Sequence, residues 1–320
     1  MSALSDMTQR LRAHPSIRSK LGIARATRAL GLTSDSEGRL GDDAAALART
    51  GGYDLLAGEG FIPAFIEDDP WFAGWCAVMV NLSDIAAMGG RASAIIDQVW
   101  APDADTAAPL LQGMRDASAA YGVPLVGGHT NLAAPALGLA ASVLGKANSL
   151  ITSFDARPGD LLIAAIDPRG SYRNFDNFCA ALDAPHDRLR SDLELLPALA
   201  EDGLTRAGKD ISQGGIVGTA LMLAECSDVG IDIDLNTITP PTGIAKERWL
   251  RSFPSFGFLL AVAPEHADAL CARFAARAID ATPIGRVTEG SAVTLSDHGA
   301  SALFWDHAQS PYLDLGACHA

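Results

Sequence analysis

Apolar residues at Leu4, Met7, Leu11, Ile17, Leu21 and Ile23 recur at helical spacing and predict helix over residues 4–30. A polar, glycine-bearing stretch from Thr33 to Asp43 follows and predicts a loop. Tyr53–Ala57 has the length and make-up of a short strand. Asp68-Asp69-Pro70 marks a helix start, because an acidic cap accepts from free backbone N–H groups and a first-position proline lacks a donor anyway. That helix runs from Trp71 to about Met88 and stops at Gly89-Gly90. Strand Ala92–Trp100, helix Thr106–Tyr121 and strands Val123–Val126 and Leu137–Gly145 complete the first half.

The pattern breaks between Thr152 and Gly159, where Arg157-Pro158-Gly159 is a turn signal. The expected organisation is a helical segment over 1–32, one domain over 33–150 and a second over 151–320. The second domain opens on a buried strand, Asp160–Ile166. Helices are expected near 174–182, 187–207, 213–226 and 265–278, with strands near 230–235, 282–287 and 292–296. Strands alternate with helices in both halves, so the fold class is α+β, built from α/β-type units.

Composition narrows the function. The 320 residues carry 24 Lys and Arg against 38 Asp and Glu, a formal charge of −14 that argues against a nucleic-acid partner. With 19% charged and 48% apolar residues, extensive disorder is not expected. Five scattered cysteines without a C-x-x-C spacing read as reduced thiols, which with the lack of a signal core suggests a cytoplasmic protein. Apolar runs such as Leu137–Leu144 fall short of the ~20 residues of a membrane span, so no membrane partner is expected.

The candidate chemistry lies in the acids. Asp42, Asp43, Glu59, Asp84 and Asp210 each sit beside glycines or at the end of an apolar segment. Adjacent carboxylates such as Asp42 and Asp43 point to opposite sides of an extended chain, so one can hold metal while its neighbour orients a ligand or caps a turn. Asn81 and Asp84 are three apart on one face of an otherwise apolar helix and must find partners there. Gly127-Gly128-His129-Thr130 follows the strand Val123–Val126, where glycines let backbone N–H groups approach phosphate oxygens. Asp210-Ile211-Ser212-Gln213-Gly214-Gly215 places an acid at a strand-to-helix passage. Each motif alone also fits a solvated turn, a helix cap or an ordinary buried hydrogen bond.

Taken in order, these segments resemble the superfamily of aminoimidazole ribonucleotide (AIR) synthetase, selenophosphate synthetase, thiamine-monophosphate kinase and the hydrogenase-maturation dehydratase. The similarity runs from Gly41 to about Val287 and includes Gly58–Pro70, Asn81–Gly90 and Gly127–Thr130. It implies a two-domain fold and a homodimer whose N-terminal sheets join in a barrel-like interface, with a sandwich-like C-terminal domain. It also implies ATP bridged to acids by Mg2+. By position, Asp43, Asp84 and Asp210 look like metal ligands, and Asp42, Glu59, Asn81, Gly127, Gly128, His129 and Thr130 like the nucleotide surround. Asp43, Asp84 and His129 take the catalytic roles. The family usually has Asp where Glu59 stands.

Departures separate this chain from named members. Selenophosphate synthetase uses a cysteine or selenocysteine with a nearby lysine in its N-terminal loop, whereas the first cysteine here is Cys76, inside a helix. Thiamine-monophosphate kinase typically has Asp at the place of His129 and an acid-rich second-domain segment where Phe253–Leu259 carries no acid. Cys318 lacks the nearby proline of the hydrogenase-maturation enzyme. The resemblance therefore implies an AIR synthase-related branch acting on a small, anionic metabolite, either by phosphorylation or by activation for dehydration or ring closure. Arg169, Tyr172 and Arg173 are candidate acceptor contacts, with Trp249, Phe253, Phe256 and Phe258 as an apolar side. The alternative is a non-catalytic ATP-binding subunit that regulates or scaffolds a biosynthetic partner.

Overall fold

The structure is a computed structural model that describes residues 3–33, 39–173 and 175–315. By contacts the chain divides into two units. Unit 1 comprises residues 1–42, 151–180 and 202–320; unit 2 comprises residues 43–150 and 181–201.

The N-terminal stretch is not one helix. It forms α1 (Ala3–Ala13), α2 (Pro15–Arg18), a 3-10 turn (Ser19–Gly22) and α3 (Ile23–Ala29). Pro15 cannot continue the hydrogen-bond ladder and Gly22 gains little from staying helical, so the run breaks at both. In unit 1 the first helices cover the end of the sheet described below. The Tyr312 hydroxyl donates to the Ile17 carbonyl at 2.8 Å, and the Arg12 guanidinium lies 5.4 Å from the Trp305 ring centre.

Unit 2 begins with β1 (Ala45–Arg49) and β2 (Gly52–Gly60), then α4 (Pro63–Asp68) and α5 (Pro70–Ala87). The Asp69 side chain caps α5 by accepting from the Phe72 N–H at 3.0 Å. β3 (Arg91–Trp100), α6 (Ala104–Tyr121), β4 (Leu125–Asn131) and β5 (Gly138–Ala147) follow. The sheet order is β1-β2-β5-β3-β4, antiparallel except for β3 and β4, which run parallel through the α6 crossover. One face buries Leu55, Ala57, Ile95, Val99 and Val143. The alternate residues Leu56, Leu144 and Ile96 are 51%, 44% and 42% exposed, so the other face is open and apolar.

Gly127–Thr130 lie inside β4, not after a strand ending at Val126. Gly128 pairs with Asp97 of β3, and a Cβ there would sit 2.2 Å from Asp97 Oδ1 and 2.4 Å from its carbonyl oxygen. Glycine is what lets this strand lie against β3.

Unit 1 continues through β6 (Leu161–Ile166), β7 (Ser171–Tyr172) and β8 (Asn177–Cys179). The helix expected near 174–182 is replaced here by strand pairing, because Asn177 and Phe178 register with Phe253 and Pro254 far along the chain. The segment 181–201, which the sequence reading sets in the second half, groups with unit 2. It holds α7 (His186–Leu193) and α8 (Leu195–Glu201), two helices where one is expected over 187–207. Arg190 donates to the Ala119 and Ala120 carbonyls at 2.7 and 3.0 Å, and Arg91 pairs with Glu194 and Glu201.

Back in unit 1 come β9 (Ala207–Asp210), α9 (Gly215–Ser227), β10 (Gly230–Asp234), α10 (Lys246–Trp249), β11 (Phe253–Pro254), β12 (Gly257–Val262), α11 (Pro264–Ala275), β13 (Asp280–Thr288), β14 (Ala292–Asp297) and β15 (Ala300–Asp306). Six of these strands and β6 order as β15-β14-β10-β13-β6-β12-β9. The core joins α9 residues such as Ile216, Val217 and Leu221 to Leu162, Leu259 and Ile231 on the sheet. Two domains, each a mixed layer of helix and sheet, are the architecture that the sequence pattern implies.

Candidate functional site

In unit 2 the site is built on α5. Every residue from Phe72 to Ala87 is buried, so a polar group there sits in a dry place. Asn81 (0% exposed) and Asp84 (5%) share one face, as their spacing requires. Asn81 Nδ2 donates to the Ala77 carbonyl at 2.8 Å, whereas Oδ1 has no partner among the described residues. An orphaned buried acceptor costs about 1–3 kcal/mol, which is a reason to look for a ligand. Asp43 lies just before β1, and one of its carboxylate oxygens is within 4.8 Å of one of Asp84. Two hard oxygen donors at that spacing suit a divalent cation such as Mg2+.

In unit 1, Asp42 accepts from the Ser153 N–H at 3.0 Å and the Ser153 hydroxyl at 2.8 Å.

The other residues of unit 2 lie further across the sheet. Glu59 on β2 and Asp97 on β3 both register with Ala141 of β5, so they share the face against which α5 packs. Gly127, Gly128, His129 and Thr130 belong to β4, the edge strand opposite β1, and are exposed. Asp43 and the glycine motif thus stand at opposite edges of one sheet. Asp97 is a residue that the sequence reading missed. Burial raises its carboxyl above the usual value, and it bonds to no other side chain among the described residues. Its signal was available: it is the lone charge inside the apolar run Ala94–Trp100.

In unit 1, Asp210 ends β9, is 4% exposed, and registers with Phe258 of β12. Two residues on, the buried Ser212 hydroxyl has no partner among the described residues, while its N–H donates to Thr219 Oγ1. The candidate acceptor residues are engaged within the unit. Arg169 grips Asp167 with two nitrogens, at 2.7 and 3.1 Å. The Tyr172 hydroxyl bonds to Ser252, and its ring lies under the Arg248 guanidinium at 3.6 Å. Arg173 donates its backbone N–H to Asn177. Trp249, Phe256 and Phe258 are buried and meet other aromatic rings edge-on, Trp249 with Phe178 and Phe256 with Phe258 and Phe274. Cys318 lies outside the described residues.

The model of the AIR synthase related protein N-terminal domain matches residues 41–147, and that of the C-terminal domain matches residues 183–298. The chain belongs to the AIR synthase-related family. Within this family it is 48% identical over 283 residues to a Synechocystis sp. protein described only as uncharacterized, covering 88% of each. It is 29% identical over 297 residues to a thiamine-monophosphate kinase of Halobacterium salinarum, covering 87% of this chain and 98% of that one. Among solved structures, AaThiL complexed with AMPPCP and TMP superposes with a TM-score of 0.65 at 22% identity, over 88% of this chain and 95% of that chain. At that identity the likeness shows the AIR synthase-related fold.

Proposed function

We propose that this protein is a Mg-dependent, ATP-using enzyme that transfers a phosphoryl group to a small-molecule acceptor, leaving a phosphorylated product or one activated for dehydration or ring closure. The observation that carries the reading is the buried Asn81–Asp84 face of α5, with an orphaned amide oxygen and a second carboxylate, Asp43, close by. Kinship with a thiamine-monophosphate kinase supports the reaction class. His129, where that kinase typically has Asp, and the acid-free Phe253–Leu259 set the acceptor apart.

Asp43 and Asp84 would hold the metal. Magnesium supplies charge neutralisation of the triphosphate and fixes its orientation. Asn81 Oδ1 offers an acceptor to the nucleotide or its bound water. Because Gly127–Thr130 stand at the far edge of the sheet from Asp43, the outward N–H groups of β4, the Thr130 hydroxyl and His129 are proposed to serve the nucleotide held by a second copy of the chain. Asp42 and Glu59 are proposed as further polar surround. Asp210, buried in unit 1, is a candidate ligand that Asp210→Asn tests separately. With Arg169 paired to Asp167 and Tyr172 bonded to Ser252, the proposal sets no requirement for an anionic acceptor. We also propose a homodimer formed through the open apolar face of the five-stranded sheet.

Calorimetric titration of ATP with Mg2+, with EDTA and in Asp84→Asn tests the site. Metal-dependent binding in the wild type and its loss in a folded variant is the expected result. Retained turnover in Asp84→Asn overturns the assignment.

A further inference from the structure

Unit 1 contains a cavity of about 260 Å3 on the face of its sheet that carries α9, lined by none of the residues proposed for the nucleotide. Its floor is apolar: Ile166 of β6 and Ile284 of β13 are both buried. Ile216 at the start of α9 and Trp249 form walls. The Trp249 ring is held edge-on against Phe178, with centroids 5.0 Å apart, so that wall exists before any ligand arrives.

The remaining wall is the segment 237–242, stiffened by Pro240-Pro241. The rim carries the hydroxyls of Thr239, Thr242 and Thr282, and a single charge, Asp280. Among the described residues no lysine, arginine or histidine lines it. Asp280 registers with Ile166, so its side chain leaves the sheet on the cavity side. Its carboxylate accepts from the Thr282 hydroxyl at 3.0 Å, and among the described residues no basic side chain pairs with it.

A carboxylate at the mouth of an apolar cavity, with no cation to balance it, attracts positive charge and repels negative charge. We propose that this cavity binds a small primary amine whose ring or branched chain lies against Trp249 and the isoleucines and whose ammonium group meets Asp280. The hydroxyl rim accepts the remaining ammonium hydrogens. This goes beyond the MgATP reading and does not depend on it.

The test is titration calorimetry of the full chain at neutral pH with three probes of one shape: benzylamine, benzyl alcohol and benzoate. Benzylamine should bind about five-fold more tightly than benzyl alcohol, the gain of one partly exposed ion pair, and benzoate should bind weakest. In Asp280→Asn the amine and the alcohol should bind equally. Binding of benzoate as tight as benzylamine, an amine preference retained in Asp280→Asn, or no binding of any probe overturns the proposal. MgATP titrated into the same samples separates the two readings, since loss of nucleotide binding in the wild type alone counts against the proposed function and leaves the cavity result standing.

Discussion

At the residue scale, one hydrogen atom decides how β4 joins the sheet. A methyl group at Gly128 would meet the Asp97 carbonyl as well as its side chain, and backbone cannot rotate away. Gly128→Ala should cost about 1–3 kcal/mol, read as a lower melting temperature. Asp97→Asn should act in the opposite direction. Burial raises the Asp97 carboxyl, so the unfolded chain gives up its proton first and stability declines as pH rises through that window. The amide carries no such cost, and thermal melts at neutral pH should show the variant more stable than wild type. The Asn81–Asp84 pair was legible in the sequence because two polar groups interrupt an apolar helix. The bond that Asp42 accepts from Ser153 was not, since that partner lies 111 positions away.

Elements with local signals were legible and elements made by distant pairing were not. α5 and α6 carry side-chain caps from Asp69 and Asp103, and both signals lie within a few residues of the helix. β8 owes its existence to β11, about seventy-five residues later, and a helical reading of 174–182 had nothing nearby to correct it. The N-terminal helices are fastened in a way that depends on pH. His14 Nε2 lies 3.1 Å from the Arg251 guanidinium, which can only donate, so Nε2 is the accepting nitrogen. Burial, and then Arg251, hold His14 below the ordinary value of 6.5. Its contribution is therefore intact above 6.5 and is lost as pH falls through the lowered value, because unfolding takes up a proton there. His14→Gln keeps an acceptor and cannot titrate. Melting curves taken from about pH 7 down to pH 5 should show the wild type losing more stability than the variant.

For the whole molecule, the open face of the five-stranded sheet sets the expected assembly. Leu56, Leu144 and Ile96 on neighbouring strands form a continuous apolar surface, and such surfaces mark interfaces. The wild type should run as a dimer in light scattering coupled to gel filtration, and Leu144→Arg should run as a monomer with its far-UV spectrum unchanged. A wild-type monomer would remove the dimer from the proposal.

The interleaving of the two units also bears on how the chain is made. All of unit 2 has been synthesised once residue 201 is added, so it can close, after emerging from the ribosome, while unit 1 is still incomplete. The carbonyl of Ile17, by contrast, waits for a hydroxyl 295 positions later. At cellular elongation rates that wait is roughly 15–60 s, during which the apolar stripe of α1 lacks the partners it packs against in the finished fold.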